Sequence, residues 1–142
     1  MAATYERTRL RVGRPTHPLH AFLLAGMVPL FLGGLLCDWA YRNTHHIQWS
    51  NFASWLIAGA MVMCGLALVC SIFGLFRGGR HGLLSFLVLL ATFVLGFINA
   101  LVHGQDAWAI FPEALVLSVV VTVLAVVATW LGFSGYRAGG VS

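Results

Sequence analysis

Apolar residues run almost unbroken through four stretches, Ala21 to Cys37, Phe52 to Phe76, Gly82 to Val102 and Ala114 to Phe133, and none of these contains a charged residue. Each is long enough, or nearly so, to cross a hydrocarbon core about 30 Å thick as a helix of about 20 residues. The pattern predicts an all-α fold, an integral-membrane four-helix bundle with spans at about 19–40, 52–76, 82–103 and 112–134. A basic segment, 1–17, precedes the transmembrane domain at 18–137, and a short tail, 138–142, follows it.

Within the spans the polar positions are sparse and periodic. Pro18 suits the first turn of the first helix, where its missing N–H costs nothing. Pro29 falls mid-span, where it should free the carbonyl of Ala25 and kink the helix. His20 and Asp38 are 18 residues apart, about five turns, so they share one face, and ionisable groups turn away from lipid. The third span carries Thr92, Gly96 and Ala100 at intervals of four, with Asn99 and His103 on an adjoining line. The fourth carries Ser118, Thr122, Ala125, Thr129, Gly132 and Tyr136 at alternating intervals of four and three. Such seams of small and hydroxylated residues let helix backbones approach and hydrogen-bond, so both should face a neighbour or the bundle axis.

The stretch from Trp39 to Asn51 reads as the longest connection, with Ser50 or Asn51 as a cap for the second helix. Trp39, Tyr41, Trp49, Trp55 and Trp108 fall near one predicted interface as an aromatic belt. The other two connections, at Arg77 to His81 and His103 to Phe111, are short, so consecutive helices should be antiparallel neighbours.

Charge adds orientation. The chain has no lysine, and of its eight arginines Arg7, Arg9, Arg11, Arg14, Arg77, Arg80 and Arg137 lie on one side of the predicted membrane, with only Arg42 on the other. That bias predicts that both termini are cytoplasmic. Charged residues make up 8% of the chain, too few for a soluble catalytic domain. The arginines flank apolar helices without interleaved aromatics, which excludes nucleic acid and leaves the lipid bilayer as the expected partner. A cleaved signal peptide fits the first forty residues poorly, because the apolar run is long and no small-x-small site closes it. Cys64 and Cys70 are six apart, about 240° around a helix, and neither they nor Cys37 has an evident partner; all three read as packing residues.

Six histidines against four carboxylates is the unusual ratio in the composition. Topology puts His17, His20 and His81 on the cytoplasmic side and His45, His46 and His103 on the outer side. His20 and His81 are candidate axial ligands for one haem at the inner leaflet, with His17 a further cofactor-binding candidate beside them and helix-end capping the competing role. A second haem is excluded by length, since His81 and His103 lie about 33 Å apart along one helix. On the outer side His45, His46, His103 and Asp106 are candidate metal ligands near Asp38 and Glu113, without a tight ligand motif. No nucleophile and base stand at a useful spacing, so the chain is not expected to be an enzyme.

The run His17-Pro18-Leu19-His20, Pro29 within the first span and Asp38 at its end resemble the bacterial membrane-protein family known as domain-of-unknown-function family 2231. The likeness continues through Trp55, Gly59, Gly74-Leu75, His81 and Trp130-Leu131-Gly132. Two positions depart from the family pattern: Phe76-Arg77 follows the Gly-Leu where an Asp is usual, and Ser85 stands where an Asn is common four residues after His81. The resemblance implies a four-span protein of the bacterial inner membrane whose relatives occur near, or joined to, redox modules. The leading expectation is therefore a non-enzymatic component of a membrane redox system, holding one b-type haem between His20 and His81 or offering a surface to a quinone or a redox protein. The alternative is a structural or small-solute transport bundle without a cofactor, with Gly96, Asn99, Ser118, Thr122, Thr129 and Gly132 as its packing seams. Self-association into a homo-oligomer is compatible with either.

Overall fold

The computed structural model describes residues 17–75, 79–105 and 111–134. Four helices account for nearly all of them: α1 (Pro18–Thr44), α2 (Ile47–Leu75), α3 (Gly79–His103) and α4 (Glu113–Ser134). Among the described residues there is no strand. Each helix is long and apolar enough to cross a membrane.

Local chemistry sets the helix ends. Pro18 occupies the first turn of α1, and His17 before it accepts a hydrogen bond at Nδ1 from the Leu19 N–H at 3.4 Å. The expected long connection between the first two spans is instead helix, and only His45 and His46 separate α1 from α2. The inward-facing periodicity simply continues past the apolar run, since Cys37, Asp38 and Tyr41 are all buried. The helix stops where Thr44 donates back to the Ala40 carbonyl and His45 turns left-handed at φ 54°, its N–H returning to the Tyr41 carbonyl. Ser50 and Asn51 therefore lie inside α2 and cap nothing; Ser50 is buried.

The helices form a ring in which α1 touches α2, α2 touches α3, α3 touches α4 and α4 returns to α1. Neighbours are antiparallel: along α1 Gly26 faces Met63 and the later Gly33 faces the earlier Leu56 of α2, Gly65 late in α2 faces Phe93 in α3, and Leu24 early in α1 faces Gly132 late in α4. α1 and α3 thus run parallel on one diagonal. Below, the far end is the one where α1 passes to α2 and α3 to α4, and the terminal end is the opposite one.

The axis is filled by Leu24, Met27, Phe31, Ile57, Ala60, Cys64, Leu89, Val121 and Ala125. Close contact depends on missing side chains. A Cβ on Gly96 would stand 2.7 Å from Met61 Sδ and 3.3 Å from the Phe31 ring, and one on Gly132 would stand 2.5 Å from Leu24 Cδ1. The outward faces are also apolar: Trp55 and Trp130 are more than 70% exposed, and a band of Phe, Leu and Val side chains continues around the bundle. Water would penalise such a surface heavily, whereas hydrocarbon matches it. Trp39, Trp49 and Trp55 are exposed near the far end, as a belt requires, but Tyr41 turns inward and packs its ring 5.7 Å from that of Phe111. Trp108 lies outside the described residues.

Candidate functional site

At the far end four polar side chains from three helices meet in the interior. Asp38 comes from α1, Asn99 and His103 from α3, and Ser118 from α4, and each is at least 90% buried. Asp38 lies on the inward stripe that also holds Phe31, Gly34 and Tyr41. Asn99 and His103 are one turn apart, and Ser118 lies on the stripe that runs from Ala114 through Thr122 to Ala125. Helical periodicity alone aims each at the axis.

The hydrogen bonds form one chain. His103 Nε2 is 2.8 Å from Asp38 Oδ1, and its Nδ1 is 2.9 Å from the Asn99 carbonyl oxygen. Ser118 Oγ donates to Asp38 Oδ2 at 2.5 Å and accepts from Asn99 Nδ2 at 3.1 Å. Thr122 donates to the Ser118 carbonyl one turn below.

These contacts fix the proton count. A carbonyl only accepts, so Nδ1 of His103 carries a hydrogen. Ser118 accepts from Asn99, so its own hydrogen points to Asp38 Oδ2. One proton then lies between Asp38 Oδ1 and His103 Nε2, as carboxylate and imidazolium or as carboxylic acid and imidazole. Both forms have zero net charge, which is how an ionisable pair survives in a low-dielectric interior. Asn99 Oδ1 alone among the polar side-chain atoms of this group is buried without a partner.

This constellation is not a nucleophilic triad, because Ser118 bonds to the carboxylate and not to the imidazole. It is not a metal cage either: among the described residues no three His, Cys, Asp or Glu side chains are grouped to hold an ion. His45 and His46 are exposed at the α1–α2 junction, where the His46 N–H bonds to Thr44 Oγ1. Glu113 is exposed at the start of α4, and Asp106 lies outside the described residues.

The terminal end is less connected. His81 opens α3 and its Nε2 is 3.5 Å from Ser134 Oγ on α4. His20, in the first turn of α1, has a buried Nδ1 with no partner. No hydrogen bond joins His20 to His81, and they belong to the diagonal helices, not to neighbours. His17 caps α1 through its Nδ1. Thr129 fastens α4 to α1 by donating to the Leu24 carbonyl at 3.0 Å. Beside it a cavity of about 450 Å³ lies between α1 and α4, lined by Ala25, Pro29, Val126, Trp130 and Phe133 among others.

Asp38, Asn99, His103 and Ser118 are each prominent in the sequence, but their convergence is not. The usable signal was the need of Asp38 for a partner in the membrane, together with a parallel third helix that ends in a histidine.

A four-helix membrane bundle with a neutral acid–imidazole pair buried at one end is thus the class that fold and site define. The chain belongs to the family of predicted membrane proteins DUF2231, whose model matches residues 16–141. No curated protein and no solved structure matches it.

Proposed function

We propose that the protein is a non-enzymatic, multi-pass scaffold of the bacterial inner membrane, with both termini in the cytoplasm and the Asp38–His103 pair fastening its outer end. The observation that carries this reading is the proton-complete link from Asp38 through His103 and Ser118 to Asn99, which ties the diagonal helices α1 and α3 to α4. The packed apolar axis beneath it argues for a scaffold over a permeation path, because Met27, Ile57 and Val121 are 1% exposed or less. The test is a double-mutant cycle of Asp38→Asn and His103→Gln, read by unfolding in detergent. A buried pair should show a coupling of about 1 kcal/mol or more, against the roughly 0.3–0.5 kcal/mol scatter of independent sites. Additive losses would overturn the fastening role.

A second reading has one observation in its favour. The unpartnered Nδ1 of His20 leaves a ligand position open at the terminal end, as a redox component with one b-type haem between His20 and His81 would need. Against it, His81 is turned toward Ser134. Protein produced with ample haem decides the matter: a Soret band lost in both His20→Ala and His81→Ala but kept in His45→Ala supports the redox reading. No Soret absorbance removes it, and with it the reason to seek a quinone or redox-protein partner.

A further inference from the structure

We infer that the cavity between α1 and α4 is a site for one phospholipid with an anionic headgroup, its acyl chain in the cavity and its phosphate among the arginines of the terminal end. The first ground is where the cavity faces. Ala25 and Pro29 on α1 and Val126, Trp130 and Phe133 on α4 line it, and all are exposed on the outside of the bundle. Both helices are long and apolar enough to cross a membrane, so this opening meets hydrocarbon and not water. The small side chain of Ala25 and the rings of Trp130 and Phe133 leave a slot of about 450 Å³, within the roughly 300–1,000 Å³ of ligand sites. The hydroxyl of Thr129, on its wall, is already spent on the Leu24 carbonyl. The floor of the slot therefore calls for hydrocarbon alone.

The second ground is length. From Val126 to Ser134 α4 rises about 12 Å, and Pro29 stands about 16 Å from the start of α1. Half of a hydrocarbon core is about 15 Å thick. The slot thus reaches from the terminal end to the middle of the bilayer, the depth that one acyl chain of one leaflet occupies.

The third ground is charge. Seven of the eight arginines flank the terminal end in the sequence, whereas three of the four carboxylates, Asp38, Asp106 and Glu113, belong to the far end. Arg137 follows Ser134 by three positions and Arg14 precedes Pro18 by four, so each helix of the slot has an arginine in the sequence just beyond its terminal end. Arg80 is exposed in the first turn of α3, and the residue after it, His81, has its Nε2 3.5 Å from Ser134 Oγ at the end of the slot. Guanidinium groups pair with phosphate oxygens two at a time, and each basic residue near the surface draws anionic lipid. A zwitterionic headgroup brings its own cation among these arginines and gains less.

The experiment reads the fluorescence of Trp130, which lines the slot. Full-length protein with Trp39, Trp49, Trp55 and Trp108 replaced by Phe is placed in phosphatidylcholine vesicles and titrated with phosphatidylglycerol or phosphatidylcholine brominated on the acyl chain. Half-maximal quenching by the anionic lipid should come at a mole fraction about fivefold lower than by the neutral one. Coincident curves would overturn the site. Ala25→Leu, which fills the slot from a position exposed to lipid, should abolish the preference, and Arg80→Gln should reduce it. A preference that survives the filled slot would mean that anionic lipid gathers on the surface without entering, which also overturns the proposal. Native mass spectrometry keeps the question decidable if the substituted chain fails to fold. The unaltered protein, taken from vesicles of equal parts of the two lipids, should carry one phosphatidylglycerol, and no lipid or a random mixture would count against the site. These readouts concern the terminal end, so they stand apart from the Asp38–His103 fastening at the other.

Discussion

At the scale of single residues, two glycines set how closely the helices pack. Gly96 lets Phe31 reach across the bundle and Gly132 receives Leu24, so a larger side chain at either must displace a core residue. Phe31 and Leu24 both lie in a filled axis, so neither can move aside freely. Gly96→Leu and Gly132→Leu should therefore each cost about 1–3 kcal/mol through overpacking. Thermal unfolding of both variants in detergent measures this, and two unchanged midpoints would mean that these faces look toward lipid. Asp38→Leu belongs to the same scale. It leaves His103 buried without its acceptor, and removing one partner of a buried pair costs about 3–5 kcal/mol in soluble proteins. In a membrane, where the unfolded chain also finds partners, the loss should be smaller, though above the roughly 0.6 kcal/mol of an average interhelical hydrogen bond. A loss below that would show that water already satisfies His103.

At the scale of elements, the α1–α2 junction has a testable weakness. His45 closes α1 in the left-handed region, where a side chain is strained and glycine is not. His45→Gly should stabilise the bundle by about 0.5–1 kcal/mol, visible as a raised unfolding midpoint, whereas a lowered one would show that the imidazole itself holds the junction. The helices were legible in the sequence because hydropathy fixes their number and a bilayer fixes their length. The junction was not. Asp38, Trp39, Tyr41 and Arg42 look like the start of a loop to a scale that scores transfer into lipid, yet helical hydrogen bonding carries on into the interface, and the structure spends 27 residues on α1. Likewise, the small-residue seams identified Gly96, Ser118 and Thr122 by spacing alone, but spacing within one helix cannot say which residues of different helices meet. The Asp38–His103 contact spans 65 positions and depends on the ring order of the helices, which no local pattern encodes.

At the scale of the whole molecule, the placement of the arginines predicts which way the bundle faces. Seven of eight arginines lie at the terminal end by sequence, in the N-terminal segment, the α2–α3 connection, the first turn of α3 and the residues after α4. Cytoplasmic retention of such segments is an effect of basic residues near helix ends, and a bias this large leaves little competition from Arg42. The polar cluster does not oppose it: Asp38 and His103 together carry no net charge in either proton arrangement, so moving that end across the bilayer transports a neutral group. An alkaline phosphatase reporter fused after Arg137 should therefore be inactive, because it stays in the cytoplasm, and one inserted between His45 and His46 should be active. The opposite pattern would invert the bundle and place the Asp38–His103 pair at its cytoplasmic end. Activity at both positions would mean that one of the four helices does not span.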